Sequence, residues 1–206
     1  AKSKVSLALG LPAGIDPTNY DPIAEALAGK STSGAFLLAT ARLANAMKQA
    51  DALANYLSIP TTNAGQVSTA FISQLATSIS GSLISFNPLD DTNLLNRAFS
   101  SSLQSVQPTA DVTQVSSAVA LLESSDDLLV QTINAGGAPN VLAVSLAKNQ
   151  QAVESTIITG YSDPSLVNLS TLASSTSTDS IKSISNAISS INVFPPVSQD
   201  FTSNIR

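Results

Sequence analysis

Hydrophobic side chains recur along most of this chain at intervals of three and four residues, the spacing that lines one face of an α-helix. The longest run lies between Gly34 and Leu57. There Phe36, Leu43, Ala50 and Leu57 repeat every seven residues, with Met47 and Ala54 at the intervening seam positions. Arg42, Asn45, Lys48 and Gln49 fall off that seam, which assigns them to a solvent-exposed polar face. Pro60 stops the run. A following helix is expected from about Ala64 to Phe86, with Ile72, Leu75, Ile79, Leu83 and Phe86 inward. Its many Ser and Thr residues make it intrinsically weak, so tertiary packing must hold it.

Asn87 is expected to cap a helix over 88–106, with Leu95, Phe99, Leu103 and Val106 inward. Pro108 ends it, and Thr109 caps the next. Beyond it, Val112, Val115, Val119, Leu122, Asp126, Leu129 and Ile133 keep the three-and-four spacing, with an acid where an apolar residue belongs. The preferred reading breaks the helix at Ser124-Ser125 and restarts it with Asp126 and Asp127 on a favourable N-terminal turn. The alternative turns a carboxylate into the bundle. Turn chemistry makes a loop of Asn134 to Pro139. A helix over 140–159 carries Leu142, Leu146, Val153 and Ile157 and ends at Gly160. A last helix is capped by Ser177 or Asp179, with Ile181, Ile184, Ile188 and Ile191 as its stripe.

Helix starts are marked by Asp or Asn followed by Pro. The side chain accepts an orphan amide, and Pro has no amide to orphan. Asp16-Pro17 predicts a short turn over 16–20, with Ile15 and Tyr20 spaced as a hydrophobic staple. Asp21-Pro22 predicts a short helix over 21–28 closed by Gly29, and Asp163-Pro164 one reaching about 173. Pro195-Pro196 and the tail to Arg206 read as irregular. The sum is an all-α fold, a multi-helix bundle of six to eight helices forming a single domain over 1–206. Its parts are short helices over 1–33, a main bundle over 34–194 and a tail over 195–206.

Composition narrows the chemistry. The chain has 206 residues, 43% hydrophobic but only 11% charged and 4% aromatic, where about 25% charge is usual. A mean hydropathy of +0.22 separates it from disordered chains. Without Cys or His it has no disulfide, no thiolate or imidazole metal ligand and no imidazole general base. Nine bases against fourteen acids, with no Trp, remove the usual nucleic-acid footprint. Residues 1–103 hold six bases and six acids, and residues 104–206 hold three and eight, so the net charge of −5 lies in the second half. No stretch reaches the roughly 18 apolar residues of a transmembrane helix. Gly10, Pro12 and Gly14 interrupt the apolar start that would otherwise suggest a signal peptide. Without an initiator Met, the expectation is a mature or excised chain.

Ser145-Leu-Ala-Lys148 matches the Ser-x-x-Lys pattern of penicillin-binding enzymes, but the companion elements are absent. Among 34 Ser one match arises by chance, so no residue is assigned as catalytic and no enzyme is expected. Carboxylate-pair glycosidase chemistry lacks aromatic sugar platforms in a chain with three Tyr and no Trp. Oxygen-only ligands restrict metals to hard cations. Asp16, Asp21 and Glu25, with Thr18 and Asn19, are the calcium candidates, and Asp90-Asp91 and Asp126-Asp127 are further acidic pairs. Helix capping accounts for each without an ion, so neither metal nor cofactor is expected. Gly136-Gly137 lacks the Lys of a phosphate loop, and Asn168-Leu-Ser170 is a glycosylation sequon, meaningful only in a eukaryotic secretory host. An apolar ligand such as a lipid, held between helices with Arg42, Asn45 and Gln49 as converging polar groups, is the alternative to a purely structural role.

Ala8 to Gly29, with its Leu-Pro-Ala-Gly-Ile-Asp-Pro-Thr-Asn-Tyr-Asp-Pro core, and Leu43-Ala-Asn-Ala-Met47 resemble helical segments of very large secreted bacterial surface proteins. These are adhesin-like or haemolysin-type proteins, including cyanobacterial ones, in which such segments adjoin calcium-binding repeats. The resemblance covers residues 8–57 and lacks the repeats themselves. It implies a non-enzymatic module of an exported, multidomain chain, secreted or at the cell surface, with Gly10 to Asp21 as an N-terminal helix-pairing cap.

Overall fold

A computed structural model describes residues 6, 8–12, 14–16, 18–60, 65–81, 87–162 and 168–188. Among them are eight α-helices and no strand, so the chain is an all-α multi-helix bundle. The helices are α1 (Pro22–Leu27), α2 (Thr32–Tyr56), α3 (Gln66–Gly81), α4 (Thr92–Val106), α5 (Val115–Asn134), α6 (Pro139–Val153), α7 (Leu169–Ser175) and α8 (Thr178–Ala187). A 3₁₀ turn, Pro88–Asp90, precedes α4. A wide π-turn, Glu154–Ile158, and a 3₁₀ turn, Thr159–Ser162, follow α6. Leu83, Phe86, Asp163, Ile191 and the tail over 195–206 lie outside the described residues.

α2 is the axis of the bundle. It packs on α1, α3, α5 and α6, so it has almost no solvent face. Small Ala residues at 46, 50, 52 and 54 let these neighbours approach closely, and the aliphatic knob among them is Leu53, which is fully buried. One contiguous core runs from Ala46 to Ile181. Between α3 and α4 it holds the tilted ring pair Phe71–Phe99, centroids 4.7 Å apart. Phe71 lies one position from the expected Ile72, which is only half-buried. Leu95, Phe99 and Leu103 of α4 are fully buried as their spacing required.

Local chemistry explains the ends. Asp21 caps α1 by accepting from the amides of Ile23 and Ala24 at 2.9 and 3.0 Å. Gly29, at φ +75°, closes it: the Lys30 amide reaches Glu25 O at 2.9 Å and the Gly29 amide reaches Ala26 O at 3.0 Å. α2 stops in the same way, four residues before Pro60, with Ser58 at φ +53° and the Ile59 amide on Ala54 O at 2.9 Å. Ser177 caps α8 in a capping box with Ser180. Asp16 closes a turn on Thr18. Tyr20 stacks on Phe36 at 4.8 Å, and its hydroxyl shares a hydrogen bond with Thr32.

Two expectations about starts are corrected. Asn87 caps only the 3₁₀ turn, because Asp91 accepts from the Leu94 amide at 3.0 Å and begins α4 afresh. Thr109 caps no helix, since α5 begins at Val115 without a side-chain cap. Asn168, accepting from the Ser170 amide at 2.9 Å, starts the described part of the seventh helix.

The helix expected over 140–159 keeps α geometry only to Val153 and then widens. Gly160 follows because a Cβ there would sit 2.7 Å from the Leu172 side chain, so α7 crosses against bare backbone.

Ala50 is fully buried where α2 is gripped by its neighbours. Ala50→Leu is therefore expected to cost about 1–3 kcal/mol, because no void receives the added atoms. Leu43, only half-buried, is expected to lose less on truncation to Ala, about 1–2 kcal/mol. Urea unfolding of both variants checks the order; a larger loss at Leu43 would place the axis of α2 on the wrong face.

Candidate functional site

The polar residues of α2 are not a solvent face. Arg42 and Asn45 are each 5% exposed and Gln49 is fully buried, whereas Lys48 is exposed. The reason is the central position of α2. A helix with neighbours on four sides has to bury whatever its sequence places there, and a buried charge needs partners. The structure brings Arg42, Asn45 and Gln49 together. They converge on one another and on α5, inside packed interior rather than around an open pocket.

Arg42 Nε donates to Asp126 Oδ2 at 3.0 Å. Its Nη2 donates to Asp90 Oδ1 at 2.6 Å and to the Leu89 carbonyl at 3.1 Å. That carbonyl is free because the 3₁₀ turn leaves its terminal acceptors unpaired. The consecutive acids thus divide their work, Asp90 meeting the guanidinium and Asp91 starting α4. Asn45 Nδ2 donates to Asp126 Oδ1 at 3.1 Å and to Ser125 Oγ at 2.6 Å, and Gln49 Nε2 donates to Ser125 Oγ at 3.3 Å and Asn45 Oδ1 at 3.1 Å. Ser125 can accept both because its own proton goes to the Leu122 carbonyl at 2.7 Å. Gln49 Oε1 is buried without a partner.

Asp126 therefore faces the bundle, and the expected break at Ser124-Ser125 does not occur. α5 is continuous from Val115 to Asn134. Ser125 is satisfied inside the helix, and the Ser124 carbonyl accepts from Thr178 Oγ1 at 3.1 Å. Asp127, next along the chain, is exposed.

Electrostatically the cluster is a compromise. Burial pushes the Asp126 carboxyl up to about 6, against the pull of Arg42 and Asn45. Burial also opposes the charge on Arg42, but Asp126 first and then Asp90 outweigh it and hold the guanidinium protonated. Desolvation of the acid thus exceeds its Coulombic gain, as is common for buried pairs. The Lys48–Glu154 pair at 2.7 Å is exposed on both sides and contributes little.

The remaining candidates separate. Asp16 and Asp21 are engaged in their turns, and Glu25 pairs with Lys30 at 3.3 Å. Among the described residues no three carboxylates gather as a metal site. Ser145 and Lys148 are both half-buried, and no hydrogen bond joins them among the described residues. Tyr161, unforeseen by the sequence, buries its hydroxyl without a partner, which raises its pKa. Asn45 borders a cavity of about 20 Å³, room for about one water molecule rather than a ligand. A larger apolar groove of about 290 Å³ lies elsewhere, between Leu9 and Leu11 and the Phe36, Leu43 and Met47 side of α2. No described helix is long and apolar enough to cross a membrane.

Removing Asp126 leaves Arg42 with Asp90 and the Leu89 carbonyl but takes away its one buried carboxylate among the described residues. Asp126→Leu is expected to cost about 3–5 kcal/mol, and the double variant Arg42→Met/Asp126→Leu to recover most of that loss. Denaturant unfolding of the singles and the double measures this. The pH response has a defined sign. With the folded Asp126 carboxyl at about 6 and the unfolded one near 3.8, the native state holds a proton that the unfolded chain releases between those values. Its contribution is complete below pH 3.8 and is lost as pH rises through 6. The stability of the protein relative to Asp126→Asn is therefore expected to grow as pH falls from 7 to 5; a constant difference would mean that Asp126 stays ionised.

Compared with protein-family models, curated proteins and solved structures, the chain matches none of them.

Proposed function

We propose that this chain is a non-enzymatic structural or interaction module of an exported bacterial surface protein. The observation that carries the reading is the use made of its buried charge. Arg42 and Asp126, the buried ion pair, are consumed in tying α2, α5 and the Pro88–Asp90 turn together, so the polar centre of the molecule serves cohesion. A composition rich in Ser and Thr and poor in Lys agrees with an extracellular setting, as does the resemblance of residues 8–57. Surface biotinylation of intact cells of the source organism tests location. Labelled protein on cells or in the medium is expected, and recovery only after lysis would overturn the reading.

A second reading, a carrier of a small apolar ligand, is favoured by the groove between Leu9, Leu11 and α2. Its wall includes Phe36, Leu43 and Met47 rather than the Arg42 cluster. Native mass spectrometry of the purified protein distinguishes the two. A bare mass is expected for a structural module, and a stoichiometric fatty acid would promote the carrier.

A further inference from the structure

A second cleft, of about 230 Å³, opens where α5, α6 and α8 meet. Its walls combine Leu128 and Leu142 with Thr132 and four further polar side chains, Gln131, Ser145, Lys182 and Asn186. None of these four has a hydrogen-bond or ion-pair partner among the described residues. Free polar groups converging over an apolar floor distinguish a binding cleft from a packing defect. The floor is fixed: Asn149, 5% exposed, donates to Thr132 Oγ1 at 2.6 Å and accepts from Ser185 Oγ at 2.5 Å. That chain spans the same three helices and holds their spacing, which preorganises the groups above it. Val141, at 55% exposure one of the two most exposed large apolar side chains, sits at the rim.

Charge selects the ligand. Lys182 lines the cleft and no carboxylate does, in the half of the chain where acids outnumber bases eight to three. Lys148 stands one helical turn beyond Ser145. An uncompensated ammonium beside amide and hydroxyl groups, facing leucine walls, suits a molecule with an anionic head and a short hydrocarbon body.

We propose that this cleft binds a short aliphatic carboxylate, with its head on Lys182, Asn186 and Ser145 and its chain against Leu128, Leu142 and Val141. The site is independent of where the chain resides and of the Leu9–Met47 groove.

Hexanoate is the probe, titrated into isotope-labelled protein and followed by NMR, with hexanol as the neutral control. Saturable shifts at Leu128, Leu142 and Asn186 are expected, with hexanoate preferred over hexanol by about tenfold or more. Lys182→Gln is expected to abolish that preference and Lys182→Arg to retain it. Lys182 is exposed, so both variants keep the native spectrum. No saturation by about 10 mM hexanoate, a range that covers millimolar affinity, would overturn the proposal. So would equal binding of hexanol, shifts centred on Phe36 and Met47, or an unchanged preference in Lys182→Gln.

Discussion

Burying the guanidinium of Arg42 in a helix that four others pack against constrains the rest of the bundle. The cation can be tolerated only where acceptors arrive from outside α2, and they come from positions 47, 48 and 84 residues further along the chain. The rotational setting of α5 follows, because Asp126 must point inward while Asp127 stays in water. The placement of the Pro88–Asp90 turn follows too, since it delivers a carbonyl and a half-exposed carboxylate to the same guanidinium. Apolar contacts supply most of the cohesion, but they are non-directional. The charge cluster specifies which of several similar Ala- and Leu-lined faces meet.

Much of the architecture was legible because helical spacing and Asx capping are local properties. The buried stripe of α4 and the stop at Gly29 could be read directly, and Ser177 was one of two expected starts for α8, since each depends on residues within one or two turns. The face of α2 could not. The seam read from seven-residue spacing splits: Ala50 and Ala54 are buried in the core, whereas Phe36, Leu43 and Met47 look toward the Leu9 groove. The actual interior face carries Arg42, Asn45 and Gln49, residues that polarity alone sends to the surface. The missing information was the number of neighbours, a tertiary fact. One signal was present: a base inside an Ala-rich helix and an acid in an apolar register of another are complementary exceptions, and treating Asp126 alone favoured a helix break. The C-terminal cleft was less visible still, because it is assembled from single unremarkable residues on three helices.

The abundance of hydroxyl side chains is compatible with so much helix because most of them bond backward. Thr40, Ser73, Thr77, Ser102 and Ser125 each donate to a carbonyl three or four residues earlier in their own helix. A hydroxyl satisfied in this way no longer needs water, and its small volume lets helices close in. Ser33, Ser68, Ser102 and Ser125 are accordingly buried at helix contacts. This substitutes for the charged surface that most helical proteins use, and it explains how a chain with 11% charged residues stays amphipathic.

The wide turn at Glu154–Ile158 has a consequence for how this sequence can change length. Val153, Ile157 and Tyr161 are all buried, at steps of four. In an α-helix of about 3.6 residues per turn, steps of four drift steadily around the axis, which would carry Tyr161 away from Tyr56, whose ring it meets edge-on. The wider π-turn absorbs the surplus and keeps the three in line. The segment acts as a vernier, converting one register of side chains into another without a loop. A one-residue deletion within it would remove that surplus, restore an ordinary helical turn and leave the side chains beyond it near their present places, so here the chain can shorten by one residue without turning the core.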